Sequence, residues 1–299
     1  MAEQHPGPPL AGLRGSVPPD GMNPRHLGNG GRAGSLLGAY RRLLVARIRS
    51  DWQYRTSFIL LAISQALVMF FDLAAILILF ELIPALGGWS VAEVAVLYGL
   101  TTLAFGLGDV FVSPVETVAR HVREGTFDRF LLRPMPVLVQ VSAQEFALRR
   151  AGKLVPGLIT LVVALIAADV AWTLDRVVVL VLSVVTGTVI FSSVWVLTSS
   201  VSLWVVGVQE VAAAFTYGGS YAHQYPLHIF AEWIRAFVGW VLPLAFVAYV
   251  PAIYLLDAAN PLGLPSWLAW CGPALAVVAA LAARAAWGAG IRNYQSTGS

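Results

Sequence analysis

The chain has one cysteine, Cys271, and it lies inside an apolar run, so no internal disulfide can staple the fold. Charge is also scarce. Only 12% of the 299 residues are charged, against roughly 25% in soluble proteins, which excludes a water-soluble globule of this length. Absent motifs narrow the field further. There is no G-x-x-x-x-G-K-[ST]; the nearest fragment, Gly152-Lys153-Leu154, lacks the hydroxyl residue that would hold magnesium, so the chain does not bind ATP in the P-loop manner. The five histidines, His5, His26, His121, His223 and His228, make no H-E-x-x-H or Cys/His ligand spacing, and they read as loop histidines with no metal site. No G-x-S-x-G elbow or nucleophile and base pair is evident. Alternating polarity is missing as well, which disfavours a membrane β-barrel, and no short-period repeat marks a solenoid.

What remains is apolar. Hydrophobic residues make up 58% of the chain and gather into continuous runs of 15 to 30 residues. Such runs read as several membrane-spanning helices. The 19 basic residues cluster beside these runs, a pattern of membrane orientation that leaves no patch for nucleic acid.

Residues 1–35 contain 8 glycines and 6 prolines and little that is apolar, so a flexible tail is expected. It lacks the apolar core of a signal peptide. From residue 36 to 294 a single transmembrane domain is expected, followed by a short tail at 295–299. At its start Leu37, Tyr40, Leu44, Ile48 and Trp52 recur every three or four residues, with arginines on the other faces. That spacing predicts an amphipathic helix in the membrane interface.

Six spans follow by hydropathy: residues 57–83, 94–112, 154–168, 177–206, 236–256 and 267–288. Asp72 interrupts the first, Asp109 sits near the end of the second, and Lys153 precedes the third, where it can snorkel to headgroups. The fourth has 30 residues without a charge, long enough to tilt or to project beyond the bilayer. Pro243 and Pro251 predict a kink or a broken, partly re-entrant fifth helix. With both termini cytoplasmic, 18 of the 19 Lys and Arg residues fall inside, Arg235 and Arg284 among them, and only Arg176 falls outside. The split supports six spans of a multi-pass protein.

The segment between spans two and three, residues 113–153, holds seven basic side chains. It reads as two short helices with a hinge. Glu116 and Arg120 are spaced i, i+4 on the first, Gly125 permits the reversal, and Thr126 can cap the second with Asp128 in its first turn. Pro134 and Pro136 then stop it. A rigid amphipathic element tied at both ends to spanning helices suits docking on a soluble partner; the plain alternative is a solvated loop that satisfies the positive-inside bias.

The stretch Arg123-Glu124-Gly125-Thr126-Phe127-Asp128-Arg129-Phe130-Leu131-Leu132-Arg133-Pro134 resembles the R-x-G-x-[FLI]-D-x-x-L-[LI]-x-P segment of ABC-2 type exporter permeases. Further matching features are Tyr225-Pro226, Pro243-Leu244-Ala245-Phe246, Tyr249-Val250-Pro251-Ala252 and Asn260-Pro261, in order on the six-span frame. The resemblance implies an all-α integral membrane fold: an interfacial helix, six spans, and a cytoplasmic coupling helix between spans two and three. It implies a permease half in the cell membrane, without catalytic residues, working beside a second permease subunit, related or identical, and separate ATP-binding subunits that would carry ATP and magnesium. On the same resemblance Glu116, Arg120, Arg123, Glu124, Asp128, Arg129 and Arg133 are candidate partner contacts, while Gly125 and Pro134 shape the element.

Asp72 stands alone inside span one, at an insertion cost of roughly 2.5 to 3.5 kcal/mol. Beside Phe70 and Phe71 it could line a path for an amphipathic or cationic substrate; alternatively it is protonated and bonded to a neighbouring helix. Trp52, Trp89, Trp172 and Trp267 read as interfacial anchors. Ser192, Ser193, Thr198, Ser199, Ser200 and Ser202 read as close helix packing in span four. Competing functions are an ion-coupled secondary transporter, for which one midplane acid is thin support, and an intramembrane lipid-modifying enzyme, which the missing nucleophile disfavours.

Overall fold

A computed structural model describes residues 55–144, 148–205, 217–222 and 224–294, together with Gly38, Val45 and Arg49, which are helical. The expected interfacial helix, apart from those three positions, and both tails lie outside the described residues. Among these residues the fold is helical throughout, with no strand beyond an isolated bridge between Leu86 and Trp89.

Ten α-helices are described: α1 (Arg55–Leu82), α2 (Val91–Phe111), α3 (Val118–Arg123), α4 (Asp128–Leu131), α5 (Val137–Gln144), α6 (Leu154–Ala167), α7 (Leu174–Val201), α8 (Glu232–Ala236), α9 (Tyr249–Leu256) and α10 (Gly272–Asn293). Short 3₁₀ turns join them at Ser113–Thr117, Leu148–Lys153, Leu227–Ile229, Leu244–Phe246 and Ser266–Trp270. Five stretches are long and apolar enough to cross a bilayer, those of α1, α2, α6, α7 and α10. α7, at 28 residues, is about 42 Å long at 1.5 Å per residue. It therefore overshoots an apolar core about 30 Å thick.

α2 is the hub. Ser90 starts it with a capping box, accepting from the Glu93 N–H while the Glu93 carboxylate accepts from the Ser90 N–H at 2.6 Å, which satisfies donors the helix would leave bare. Its remaining length is buried nearly all round, against α6 on one side and α7 on another. Small residues set the spacing. A Cβ on Gly99 would stand 2.7 Å from the Leu161 backbone, and one on Gly157 would stand 2.8 Å from Thr102; without a hydrophobic drive between helices in lipid, such close approach is how spans gain dispersion energy. The hydroxyls of α7 behave as their positions suggest. Ser193, Thr198 and Ser200 donate to carbonyls four residues back at 2.6 to 2.9 Å, and α10 packs along the same helix.

The start of α1 and the end of α10 lie at the end of the molecule that carries residues 113–153, here the loop end. Ala62 abuts Gly152, and Tyr294 meets the Phe127 ring edge-on at 4.9 Å between centroids.

Span five shows the break that Pro243 and Pro251 predict, but not the crossing. The expected crossing at 236–256 does not run end to end: residues 232–241 and 244–256 meet at a 71° bend. Pro243, which lacks the N–H a continuing helix needs, stands at that bend, and both arms lead to the far end. Before the bend, the His228 ring bonds Gly87 of the α1–α2 turn at 2.8 Å. Beyond it, Tyr254 reaches Asp175 at 2.7 Å, Asp257 pairs with Arg176, and Trp89 donates to the Ala259 carbonyl. Between the arms, Val247 reaches only as deep as Gly187 and Ala104. This is a re-entrant hairpin. Among the described residues the two ends are joined instead just before it: Tyr217 bonds Glu116 at the loop end and packs on Phe105, and His228 stands at the far end. Apolarity alone does not separate a helix that crosses from a hairpin that turns back.

Two further expectations change with it. Arg235, in α8, lies within electrostatic reach of His228 and Tyr249, so it belongs to the far end with Arg176 and not to the inside group where the sequence count put it. Trp89 is no interfacial anchor: it is fully buried and stacked on Tyr249 at 5.6 Å. Trp172 and Trp267 are exposed, as expected.

Candidate functional site

At the loop end α2 carries Asp109 into a nearly closed pocket, its side chain 3% exposed. An isolated carboxylate there would cost several kcal/mol, so it must be compensated. Two cations do this. Arg150 Nη1 donates to Oδ1 at 2.7 Å and Lys153 Nζ to Oδ2 at 2.9 Å. The Ser113 hydroxyl lies 2.7 Å from the same carboxylate and also meets Arg150. Arg150 Nη2 donates to Glu116 at 3.2 Å, and Tyr217 donates to the other Glu116 oxygen at 3.3 Å. The Lys153 ammonium sits over the Phe105 ring, 5.4 Å from its centroid. Lys153 therefore points at α2 and not at the headgroups the sequence suggested. The network ties together the place where residues 113–153 leave α2, the place where they rejoin α6, and the fifth crossing.

On this base stands a compact element. α3 ends at Glu124, and the chain reverses through Gly125 at φ +66°. The Thr126 N–H bonds the His121 carbonyl at 2.9 Å and the Gly125 N–H bonds Val122 at 3.2 Å, the paired bonds of a Schellman turn. Thr126 does not cap α4, as expected from sequence. Phe127 holds the N-cap position, and the Thr126 hydroxyl sits 2.9 Å from the His121 ring. Val118, His121, Val122, Phe127 and Phe130 are buried beneath the turn. Gln140 clamps the exit by donating to the carbonyls of Phe130 and Met135 at 2.9 and 2.7 Å.

The candidate contacts divide between two surfaces. Arg120, Arg123, Glu124, Arg129, Arg133 and Pro134 are exposed, Arg129 over the Phe130 ring. Glu116 instead turns inward to Arg150 and Tyr217. Asp128 lies beside Tyr294, whose phenol is pushed up by burial and then by that carboxylate. Sequence reasoning missed the exposed apolar side chain of the patch, Leu132, 86% exposed. It also missed α5, for which the signal was Pro136 one residue before the apolar stretch, a favoured start for a helix. It missed the ion network too, having left Asp109 and Lys153 unpaired at their span ends; the available signal was that opposite charges at span ends pair with one another.

Asp72 lies toward the middle of α1. It lines a cavity of about 220 Å³ with Gln65, Tyr98, Tyr217, Tyr221 and Gln224. Phe70 and Phe71 do not join it. They are 63% and 66% exposed on the outer face of α1 and meet each other edge-on.

The sequence profile described as ABC-2 family transporter protein matches residues 66–298, which takes in the element, the hairpin and the cavity. The chain belongs to the ABC-2 family. No curated protein and no solved structure matches it. As an ABC-2 family member with several apolar helices it is a multi-pass membrane protein and a permease-like transporter subunit. Membrane subunits of the ABC-2 family generally partner with ATP-binding subunits and are generally non-enzymatic. Among the described residues no group of three or more His, Cys, Asp or Glu side chains could hold a metal ion.

Proposed function

We propose that the chain is half of the translocation pathway of an ATP-driven exporter, coupled through residues 113–136 to a separate ATPase subunit. The observation that carries the reading is the ion network at Asp109. An exposed cationic patch rooted in buried charge, and tied to two spans and the fifth crossing, can transmit a push without bending. A solvated loop that served only membrane orientation would have no use for such a root. Closure of the ATPase on ATP would move the patch as a lever and shift the membrane cavity between inward-open and outward-open states. Four arginines against one exposed glutamate give the patch an acidic partner surface to match, and Leu132 supplies an apolar peg at its centre.

Among the described residues Arg176 and Arg235 stand at the far end while the basic side chains of residues 113–153 gather at the loop end, which supports a cytoplasmic loop end in the cell membrane. A second permease subunit, a related chain or a second copy, would complete the pathway along the sparsely covered α1. Asp72 and the three tyrosines of its cavity are the proposed substrate path; a carboxylate among aromatic rings favours an amphipathic or cationic cargo. If Asp72→Asn leaves export and substrate preference unchanged, that role is lost.

Co-purification tests the coupling. The intact chain should retain a P-loop ATPase subunit through detergent extraction, and replacing residues 123–133 with a Gly/Ser linker should release it while the spans remain folded. Retention by the linker variant would overturn the reading.

A further inference from the structure

A cavity of about 380 Å³ opens at the far end, remote from the Asp72 cavity. Its size falls within the roughly 300 to 1,000 Å³ of small-molecule sites. Asp175 and Arg176 line it from the first turn of α7, Ile253 and Tyr254 from α9, and Asp257 from the cap just beyond α9. Asn260 closes the rim, bonding both the N–H and the carbonyl of Leu264 at 3.0 and 2.7 Å.

The chemistry of the lining is lopsided. Two carboxylates face one guanidinium, and the guanidinium is committed: Arg176 bonds Asp257 and the Ala171 carbonyl. Tyr254 spends its hydroxyl on Asp175 at 2.7 Å. What is left over is acceptor capacity, chiefly on Asp257, whose side chain is 78% exposed. Asp257 is also held at φ +47°, a left-handed conformation that a non-glycine residue keeps only when its surroundings impose it. The apolar part of the lining is Val250 and Ile253, on the same helix that leads into Asp257.

Depth completes the picture. Trp270 is exposed and meets Tyr254 of the lining edge-on at 6.1 Å, and Trp172 and Trp267, each close in sequence to a lining residue, are exposed as well. Indoles settle at the headgroup level, which puts the anionic pole of the cavity among headgroups, with Val250 and Ile253 beside it. We propose that this cavity binds the ammonium group of a membrane-embedded amphiphile, with Asp257 and Asp175 as the anionic pole. The amphiphile is either an aminophospholipid of that leaflet or an amphipathic amine being exported. The inference stands on this cavity alone, so it survives failure of the ATPase coupling, and the coupling survives failure of this site.

The test titrates the full-length protein in detergent and follows its tryptophan fluorescence. Mixed micelles of phosphatidylethanolamine are compared with phosphatidylcholine, which lacks N–H donors, and dodecylamine is compared with dodecanol. An ammonium bonded to a carboxylate should give at least about a tenfold preference for an amine over its control. Asp257→Asn should remove the preference. So should Ser266→Phe, which fills the cavity and leaves the Arg176–Asp257 pair in place, with unfolding temperature recorded for both. Preference for phosphatidylethanolamine supports the site and identifies a lipid; preference for dodecylamine without one for phosphatidylethanolamine supports it and identifies a carried amine. Equal binding of every pair, or a preference that persists in Ser266→Phe, overturns the proposal.

Discussion

At Asp109 a single carboxylate holds two cations that approach from the far side of a 40-residue excursion. Removing its charge strands Lys153 and leaves Arg150 with Glu116 alone, so Asp109→Asn should destabilise the protein by about 3 kcal/mol, the order found when one partner of a buried pair is lost. Lys153→Met alone should cost less, because Arg150 still neutralises the carboxylate. The double variant Asp109→Asn with Lys153→Met should fall short of the sum of the two, and thermal unfolding in detergent reads all three. At the far end His228 makes a second kind of test. The Gly87 carbonyl can only accept, so Nε2 carries the proton and Nδ1 takes the Tyr249 hydroxyl at 3.0 Å. Burial, with Arg235 nearby, lowers the imidazole from its ordinary value of 6.5. A lowered folded value means the unfolded chain takes the proton first, so this contribution to stability is full above that ordinary value and is lost as the pH falls through the folded one. The unfolding temperature should drop between pH 8 and pH 5, and the drop should shrink in His228→Asn; equal drops would remove His228 as the cause.

The short helices of residues 113–144 were partly legible in the sequence. Gly125 and the two prolines announced a reversal and a stop, because each residue type fixes backbone geometry locally. Which charges face inward was not legible. Glu116 and Arg120 have helical spacing, yet Glu116 lies in a 3₁₀ turn whose direction is set by Arg150, 34 residues on. Phe127 and Phe130 likewise look no different from Leu131 and Leu132 until the turn is built, and then two are buried and two are exposed. That division yields a prediction for the element. Leu132→Asp and Arg133→Glu change side chains that support nothing beneath them, so unfolding temperature should move by no more than the usual ±0.5 kcal/mol of a surface change. Retention of the ATPase subunit should fall by about tenfold or more, as for a central apolar anchor or a charge set against an acidic surface. Equal retention would remove the patch from the coupling interface.

Across the whole molecule, four crossings and the last were legible because an apolar run of some twenty residues with almost no charge has few other uses. The fifth was legible only as a break at Pro243; its crossing was not, since that carries Tyr217, Tyr221 and Gln224, polar enough to lower its hydropathy, while the more apolar stretch at 236–256 belongs to a hairpin. Burial explains the inversion. The hairpin packs against α2 and α7 and the Asp72 cavity needs polar walls, so hydropathy ranked the two segments in the wrong order. The consequence is testable by topology. Cysteines placed at Arg235 and Arg176 in a Cys271→Ser background should react with an impermeant maleimide added to intact cells, whereas cysteines at Arg133 and Arg292 should react only after the membrane is opened. A conventional span at 236–256 would instead put Arg235 with Arg133 on the protected side. Labelling of Arg235 thus separates the two folds with one residue, and it decides at once whether the hairpin and its far-end cavity face the medium into which an exporter would release its cargo.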